Sequence, residues 1–408
     1  ISKKLSDTIF LENTFENIKQ DFKKIKYIIT LDSDTSLVLN TGLELVGAMA
    51  HILNKPVLNE NKNLVIDGYA IMQPRVGINL LETRKSIFTK IFSGLGGTDS
   101  YTNAISDFYF DNFEEGIFTG KGIYDLKVFS EVLKNEIPEN TILSHDLLEG
   151  SYVRCGLASD IMLMDGYPSN YKAYKTRLHR WIRGDWQIFS WVFKDRLNIL
   201  SKSKILDNIN RSLNEFFVLI LLIINLFVRS KTIAIISIIS ILIPYILEFL
   251  NKIICKKDGE LTQRKFAKEI NGCISIFYKM IIDIALIPDK AYLSINAIIK
   301  ALYRIIKSKK HLLEWTTAEE AEKMAKNGIE PYIIDMLPSI IIGGVFVAYS
   351  IYVNSIFNLI LGILWIISPI IMCYISKPII YKNKYDELNV DEKNNDIEIG
   401  ENLLKYFL

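Results

Sequence analysis

Four apolar runs in the second half of the chain constrain its fold more than any other feature. Residues 213–228 and 232–250 are separated only by Arg229-Ser230-Lys231, and residues 332–353 and 356–375 only by Asn354-Ser355. A bilayer core of roughly 30 Å needs about 20 apolar residues as helix, because no water is present to satisfy an open backbone. The last three runs meet that length, and the first, which is short, is extended through residues 214–217. Glu248 and Asp335 lie near run ends, within reach of headgroups. The pattern predicts two transmembrane hairpins, at 211–250 and 332–377, in an integral membrane protein. Composition agrees: 50% of the residues are hydrophobic and the mean hydropathy is +0.20, too apolar for an ordinary soluble protein.

Between the hairpins, residues 251–331 are rich in Lys and Arg. Their apolar stretches 274–287 and 293–306 are interrupted by Lys279, Asp283, Lys300 and Arg304, a pattern that suits helices lying in the membrane interface. The positive-inside rule places this segment in the cytoplasm. With short hairpins, residues 1–210 and the charged, loosely ordered tail 378–408 share that side, and the expected setting is the cell (inner) membrane with the catalytic domain cytoplasmic. A net charge of +2 gives no sign of nucleic acid as a partner, and the Lys/Arg excess reads more simply as a feature of membrane flanks, with lipid as the partner. The four cysteines form no CxxC pair, so reduced thiols are expected. The chain starts at Ile1 with no signal-peptide pattern, which reads as a fragment of a longer protein.

Residues 1–210 carry short apolar runs punctuated by Gly, Pro, Asn and Asp, as in a mixed α/β domain. Residues 27–31 read as a buried strand, 42–52 as a helix, 63–74 as strand material, 118–124 as a strand approached closely at Gly120 and Gly122, and 171–193 as a long aromatic-rich helix. Three strings carry chemistry. Asp32 and Asp34 flank Ser33 at a strand end, where carboxylates hold Mg²⁺ or Mn²⁺ against a diphosphate, or where a solvated Asx turn stands. Asp146 and Glu149 share one face of a helical first turn, as a base for a hydroxyl or as acids favoured by the helix dipole. His145 reads as their hydrogen-bonding neighbour. Arg177, Arg180, Arg183, Trp181 and Trp186 combine forks for phosphate with indole faces for sugar, or else form a basic helix at a membrane surface.

In this order, followed by paired membrane helices, the strings resemble the processive inverting glycosyltransferases of the GT-A type, with Arg177 where their Q-x-x-R-W signature has Gln. The wording resembles one group more narrowly. Leu31-Asp-Ser-Asp-Thr35, Gln73-Pro-Arg-Val-Gly77, Gly96-Gly97, Phe118-Thr-Gly-Lys-Gly-Ile-Tyr-Asp125, Ile142-Leu-Ser-His-Asp-Leu-Leu-Glu-Gly150, Asp165-Gly-Tyr-Pro168, His179-Arg-Trp-Ile-Arg-Gly-Asp-Trp-Gln187 and His311-Leu-Leu-Glu-Trp-Thr-Thr-Ala318 are similar to cyclic β-1,2-glucan synthases, glycosyltransferase family 84, across residues 20–380. The resemblance implies an α/β GT-A-like domain at 1–210 that lacks its N-terminal, uridine-binding part, followed by an α-helical transmembrane region. It implies transfer of glucose from UDP-glucose to a glucan acceptor. Metal binding would fall at Asp32 and Asp34, the base at Asp146, and substrate contacts at Arg177, Arg180, Trp181 and Glu149, with Lys121 and Tyr124 on an acceptor-side strand. The family's C-terminal phosphorylase-like region has no counterpart in these residues. A synthase of another β-linked polysaccharide and a truncated, non-catalytic membrane scaffold stay open as alternatives.

Overall fold

A computed structural model describes residues 25–61, 63–79, 81–93, 107–134, 136–254, 262–316, 318–324 and 328–379. The first 24 residues, Gly96-Gly97 and the tail beyond 379 lie outside the described residues. In chain order the strands are β1 (Tyr27–Thr30), β2 (Ser36–Leu37), β3 (Val57–Leu58), β4 (Val65–Asp67), β5 (Ile71–Ile78), β6 (Gly122–Asp125) and β7 (Cys155–Asp165). β3 pairs with β4, and the other five form one mixed sheet in the order β1-β6-β5-β7-β2. β5 and β7 run parallel, while the remaining neighbours in the sheet are antiparallel. Pro74 lies inside β5, a strand paired on both sides, although proline cannot donate to a ladder. The register slips there, from Pro74 opposite Ala158 to Arg75 opposite Met162, and this bulge absorbs the missing donor.

Helices α1 (Thr41–Ala50), α2 (Ile87–Phe92), α3 (Phe108–Phe113), α4 (Leu126–Val132), α5 (Asp146–Val153) and α6 (Tyr171–Gln187) surround the sheet. Side-chain caps set several of their starts: Ser86 and Thr89 close a capping box on α2, Asp125 caps α4 and Asn170 caps α6. The second half is helical, with α7 (Ile199–Val228), α8 (Lys231–Ile254), α9 (Thr262–Tyr303), α10 (Ala318–Met324), α11 (Ile329–Asp335), α12 (Leu337–Val353) and α13 (Ile356–Ile375). Among the described residues α7 and α13 are each long and apolar enough to cross a membrane, and α11 with α12, bent by 71°, passes the same test as a pair. α8 is 24 residues long, and Thr232–Leu247 within it is apolar.

Two features differ from the expectations above. α7 starts at Ile199, capped by Asn198, so the helix passes through the expected domain boundary at 210 without a break. The two stretches expected as separate interfacial helices are one helix, α9, with Pro288 between them. Its Leu286, Asp289, Ala291 and Ala297 are almost wholly buried. Sequence periodicity showed charges within these stretches and could not show that other helices would cover them.

Packing joins the two halves. Ile71, Leu148, Tyr152, Cys155 and Trp191 share a core with Ile205 and Ile209 of α7. Phe88, Tyr167 and Tyr171 pack with Leu286 of α9 and with Met372 and Cys373 of α13. A third core, made by Leu222, Leu226, Phe346, Leu361 and Trp365, holds α7, α12 and α13 together. At the base of α7, Lys204 is 2% exposed and donates to Glu115 Oε1 at 2.8 Å and to the Gly116 carbonyl at 2.9 Å. Removing one partner of a buried pair leaves the other charge uncompensated. Lys204→Met is therefore expected to destabilise the protein by about 3 kcal/mol, read as a lower thermal midpoint in detergent. Glu115→Gln in the same background should recover part of that loss.

Candidate active site

The Asp32-Ser-Asp34 loop leaves β1 and is fastened to the end of β7. Gly166 N donates to the Asp34 carbonyl at 3.1 Å, and Thr35 Oγ1 donates to Asp165 Oδ1 at 2.7 Å. Asp165 is 2% exposed. Lys121 Nζ, itself buried just before β6, lies 2.5 Å from Asp165 Oδ2 and 3.2 Å from Asp32 Oδ2. Arg177 Nη2 of α6 is 3.8 Å from the same Asp165 oxygen. Burial and the nearby charge of Asp165 push the Asp34 carboxyl above its usual range. Both loop acids line a cavity of about 360 Å³ with Asn79, Asp165, Arg177 and Arg180.

A second cavity of about 500 Å³ runs from Asp32 past Lys121 to Asp146 and Trp181. Asp146 opens α5, accepts from Ser144 Oγ at 3.1 Å, and has its carboxyl pushed up to about 6, first by burial and then by the Glu149 charge. His145 Nδ1 and Glu149 Oε1 are 2.7 Å apart, and that hydrogen bond raises the imidazole above its ordinary value. The close approaches expected at two glycines have separate causes. A Cβ on Gly122 would lie 2.3 Å from the Met72 carbonyl, and one on Gly120, whose φ is +89°, would lie 3.1 Å from Asp146 Oδ1.

α6 brings the third string to these cavities. Arg177 stacks on Trp181 with its Cζ 5.0 Å from the ring centre, and Arg180 stacks on Trp315 at 4.9 Å. Burial, followed by the charge of Arg177, lowers the Arg180 pKa from its ordinary value. Trp315 belongs to a loop that α6 itself holds. Arg183 Nη2 donates to the Glu314 carbonyl at 2.6 Å, and Gln187 Nε2 donates to the Leu312 carbonyl at 3.1 Å. Gln187 Oε1 also accepts from Leu143 N at 2.7 Å, which ties the same helix to the segment leading into Asp146.

Of the residues expected to act, Asp32, Asp34, Lys121, Asp146, Arg177, Arg180 and Trp181 line these two adjoining cavities. Tyr124 and Glu149 line neither. Tyr124 faces the opposite side of β6 from Ile123 and stacks on Phe129 at 4.5 Å, while Glu149 is engaged by His145. Trp186, expected as an indole platform, donates its Nε1 to Ser212 Oγ of α7 at 3.0 Å and packs against the core.

No protein-family model matches the chain. Over 363 residues, 86% of the chain, it is 33% identical to the cyclic beta-(1,2)-glucan synthase NdvB of Rhizobium meliloti (strain 1021). Over this segment the chain is a relative of the cyclic β-(1,2)-glucan synthases. It spans 13% of the length of that relative and so corresponds to one segment of it.

Within this segment, the motif words held more site residues than their chemistry revealed. Asp165 and Trp315 stand in two of the quoted strings, yet neither has a local pattern that assigns it a task. Spatial convergence supplies what spacing could not. Gly120→Ala would combine left-handed strain with pressure on the Asp146 carboxylate. It should cost about 1–3 kcal/mol, seen as a reduced thermal midpoint, whereas Thr119→Ser, which keeps the hydroxyl bonded to Gln73 Oε1, should leave the midpoint unchanged.

Proposed function

We propose that the chain is the catalytic and membrane segment of an inverting glucosyltransferase of the GT-A type, moving glucose from UDP-glucose to a growing β-1,2-glucan with its catalytic domain in the cytoplasm. The observation that carries this reading is one cavity lined at once by Asp32, Lys121, Asp146, Arg180 and Trp181. It is the combination required by displacement at a sugar carbon: a base for the acceptor hydroxyl, cations for the departing diphosphate, and an indole face for a sugar ring. The printed activity of the Rhizobium relative supports the product class.

Asp146 would take the proton of the acceptor hydroxyl. A carboxyl held near 6 is ionised at neutral pH and more basic than a free one, which suits that task. Arg180, backed by Trp315, would meet the negative charge that develops on the departing diphosphate. Trp181, with Arg177 against its ring, would present an apolar face to the acceptor end. Asp32 and Asp34 would hold Mg²⁺ or Mn²⁺, which supplies charge neutralisation to the diphosphate when bound. The residues fit such a cation. Their donors are hard carboxylate oxygens in one cavity, and a cation would offset both the burial and the Asp165 charge that raise the Asp34 carboxyl. If these two residues hold the cation, its affinity should rise together with that of the diphosphate donor.

The test is synthesis by the purified full-length synthase supplied with UDP-glucose and a divalent cation. Asp146→Asn should lower glucan formation by about 10²–10⁴-fold while UDP affinity stays unchanged. Robust synthesis by that variant would remove Asp146 from the role of base. Asp32→Asn should instead weaken metal-dependent UDP binding by about tenfold or more in calorimetry. In a pH–rate profile the carboxylate form of Asp146 is the active one, so activity should fall as pH drops through about 6. Glu149→Gln removes the like charge beside it and should move that limb to lower pH.

A further inference from the structure

Another face of α6 borders a third and larger space. Lys172, Lys175, His179 and Arg183 recur at intervals of three or four residues and therefore form one stripe along the helix. The stripe lines a cavity of about 1000 Å³, whose other walls include the exposed Lys300 of α9 and Ile334 of α11. None of Lys172, Lys175, His179, Arg183 and Lys300 lines the two cavities described above. Arg180 and Trp315 stand on the boundary shared by all three.

The charge in this space is uneven. Lys172, Lys175, Arg180, Arg183 and Lys300 face Glu314, Glu330 and Asp335. Glu314 is engaged by Arg304 at 2.5 Å and Asp335 by Lys172 at 3.2 Å, while Lys175 pairs with the buried Asp289 at 2.7 Å, so the cations left to meet a ligand are Arg180, Arg183 and Lys300. Arg183 is 6% exposed and gives one Nη2 hydrogen bond to a carbonyl, while its Nε is buried with no acceptor. A buried guanidinium donor without a partner is costly unless something accepts from it. Planar guanidinium forks beside ammonium groups match the oxygens of a phosphate. The position adds a second constraint. α11 ends in a 71° bend into the apolar α12, and Ile334 and Leu337 beside the bend are 65% and 49% exposed. Basic pockets at such a membrane entrance suit phosphate headgroups.

We propose that this cavity is an anion site for a phosphate mono- or diester, held directly by Arg183 and Lys300 with Lys172 at its rim, and separate from the cation-dependent site at Asp32 and Asp34. The phosphate could come from a lipid headgroup seated at the α11–α12 bend or from a soluble ligand. The experiment uses the full chain in phosphatidylcholine nanodiscs, with EDTA present so that cation-dependent binding at the aspartates is silent. Inorganic pyrophosphate is titrated by calorimetry. In a parallel set phosphatidylglycerol is included, and lipid retained after extraction is counted by native mass spectrometry. At least one probe is expected to bind saturably, with Lys300→Gln weakening it about tenfold. Binding of pyrophosphate alone identifies a soluble ligand, and retention of phosphatidylglycerol alone identifies a lipid. Binding of neither, or binding that both Lys300→Gln and Lys172→Gln leave unchanged, overturns the proposal. Lys300 is exposed and Lys172 pairs with the half-exposed Asp335, so a melting curve equal to that of the unaltered chain certifies the fold of each variant. UDP affinity measured separately with Mg²⁺ should be untouched by Lys300→Gln, which keeps failure of this site distinct from failure of the glucosyltransferase reading.

Discussion

The buried carboxylate of Asp165 is the point on which the site's geometry depends. It lies at the end of the longest strand, and a carboxylate so far from water is tolerated only with donors around it. Those donors are Thr35 from the aspartate loop and Lys121 from the start of β6, with Arg177 of α6 close by. One desolvated charge thus gathers three segments distant in sequence. The neutralisation is shared, since Lys121 also reaches Asp32. Cation binding at Asp32 and Asp34 would therefore redistribute charge across the whole cluster rather than at two residues.

α6 links that cluster to the membrane half. Arg177, Arg180 and Trp181 face the cavities, whereas Tyr171 and Lys175 each reach Asp289 of α9 at 2.7 Å. Farther along, Arg183 and Gln187 grip carbonyls of the loop that carries Trp315. The basic helix was open to two readings, a surface-lying helix or a substrate platform. The structure makes it a half-buried strut between the sheet and α9, with cavities on several of its faces. Trp186 shows the cost of reading a cluster as one surface: adjacent positions on a helix point in different directions, and this indole faces α7.

Much of the local structure was legible because local physics decides it. The run 27–30 forms a strand that ends at the aspartates, and Asp146 starts a helix as its acidic first turn suggested. Apolar length marked the candidate spans, and the run 232–250 lies within the single helix α8. What could not be read was side-chain direction on β6 and at α5. Lys121 enters the cavity while Tyr124 stacks in the core, and Asp146 enters while Glu149 turns to His145. Those choices depend on which neighbours compete for each group, and the neighbours come from elsewhere in the chain.

By itself the sequence determined the kinds of groups available and their order: a strand-end pair of carboxylates, an acidic helix start, an Arg/Trp helix, and apolar runs able to enter a bilayer. These follow from composition and short-range periodicity, which act over a few residues. Only the tertiary structure decided that Asp165 is the common anchor, that Trp315 stands against Arg180, and that α9 is covered rather than lying apart. Each of these is a contact between residues far apart in sequence. Desolvation makes such contacts selective, since a buried charge or polar group is stable only where distant segments supply its partner.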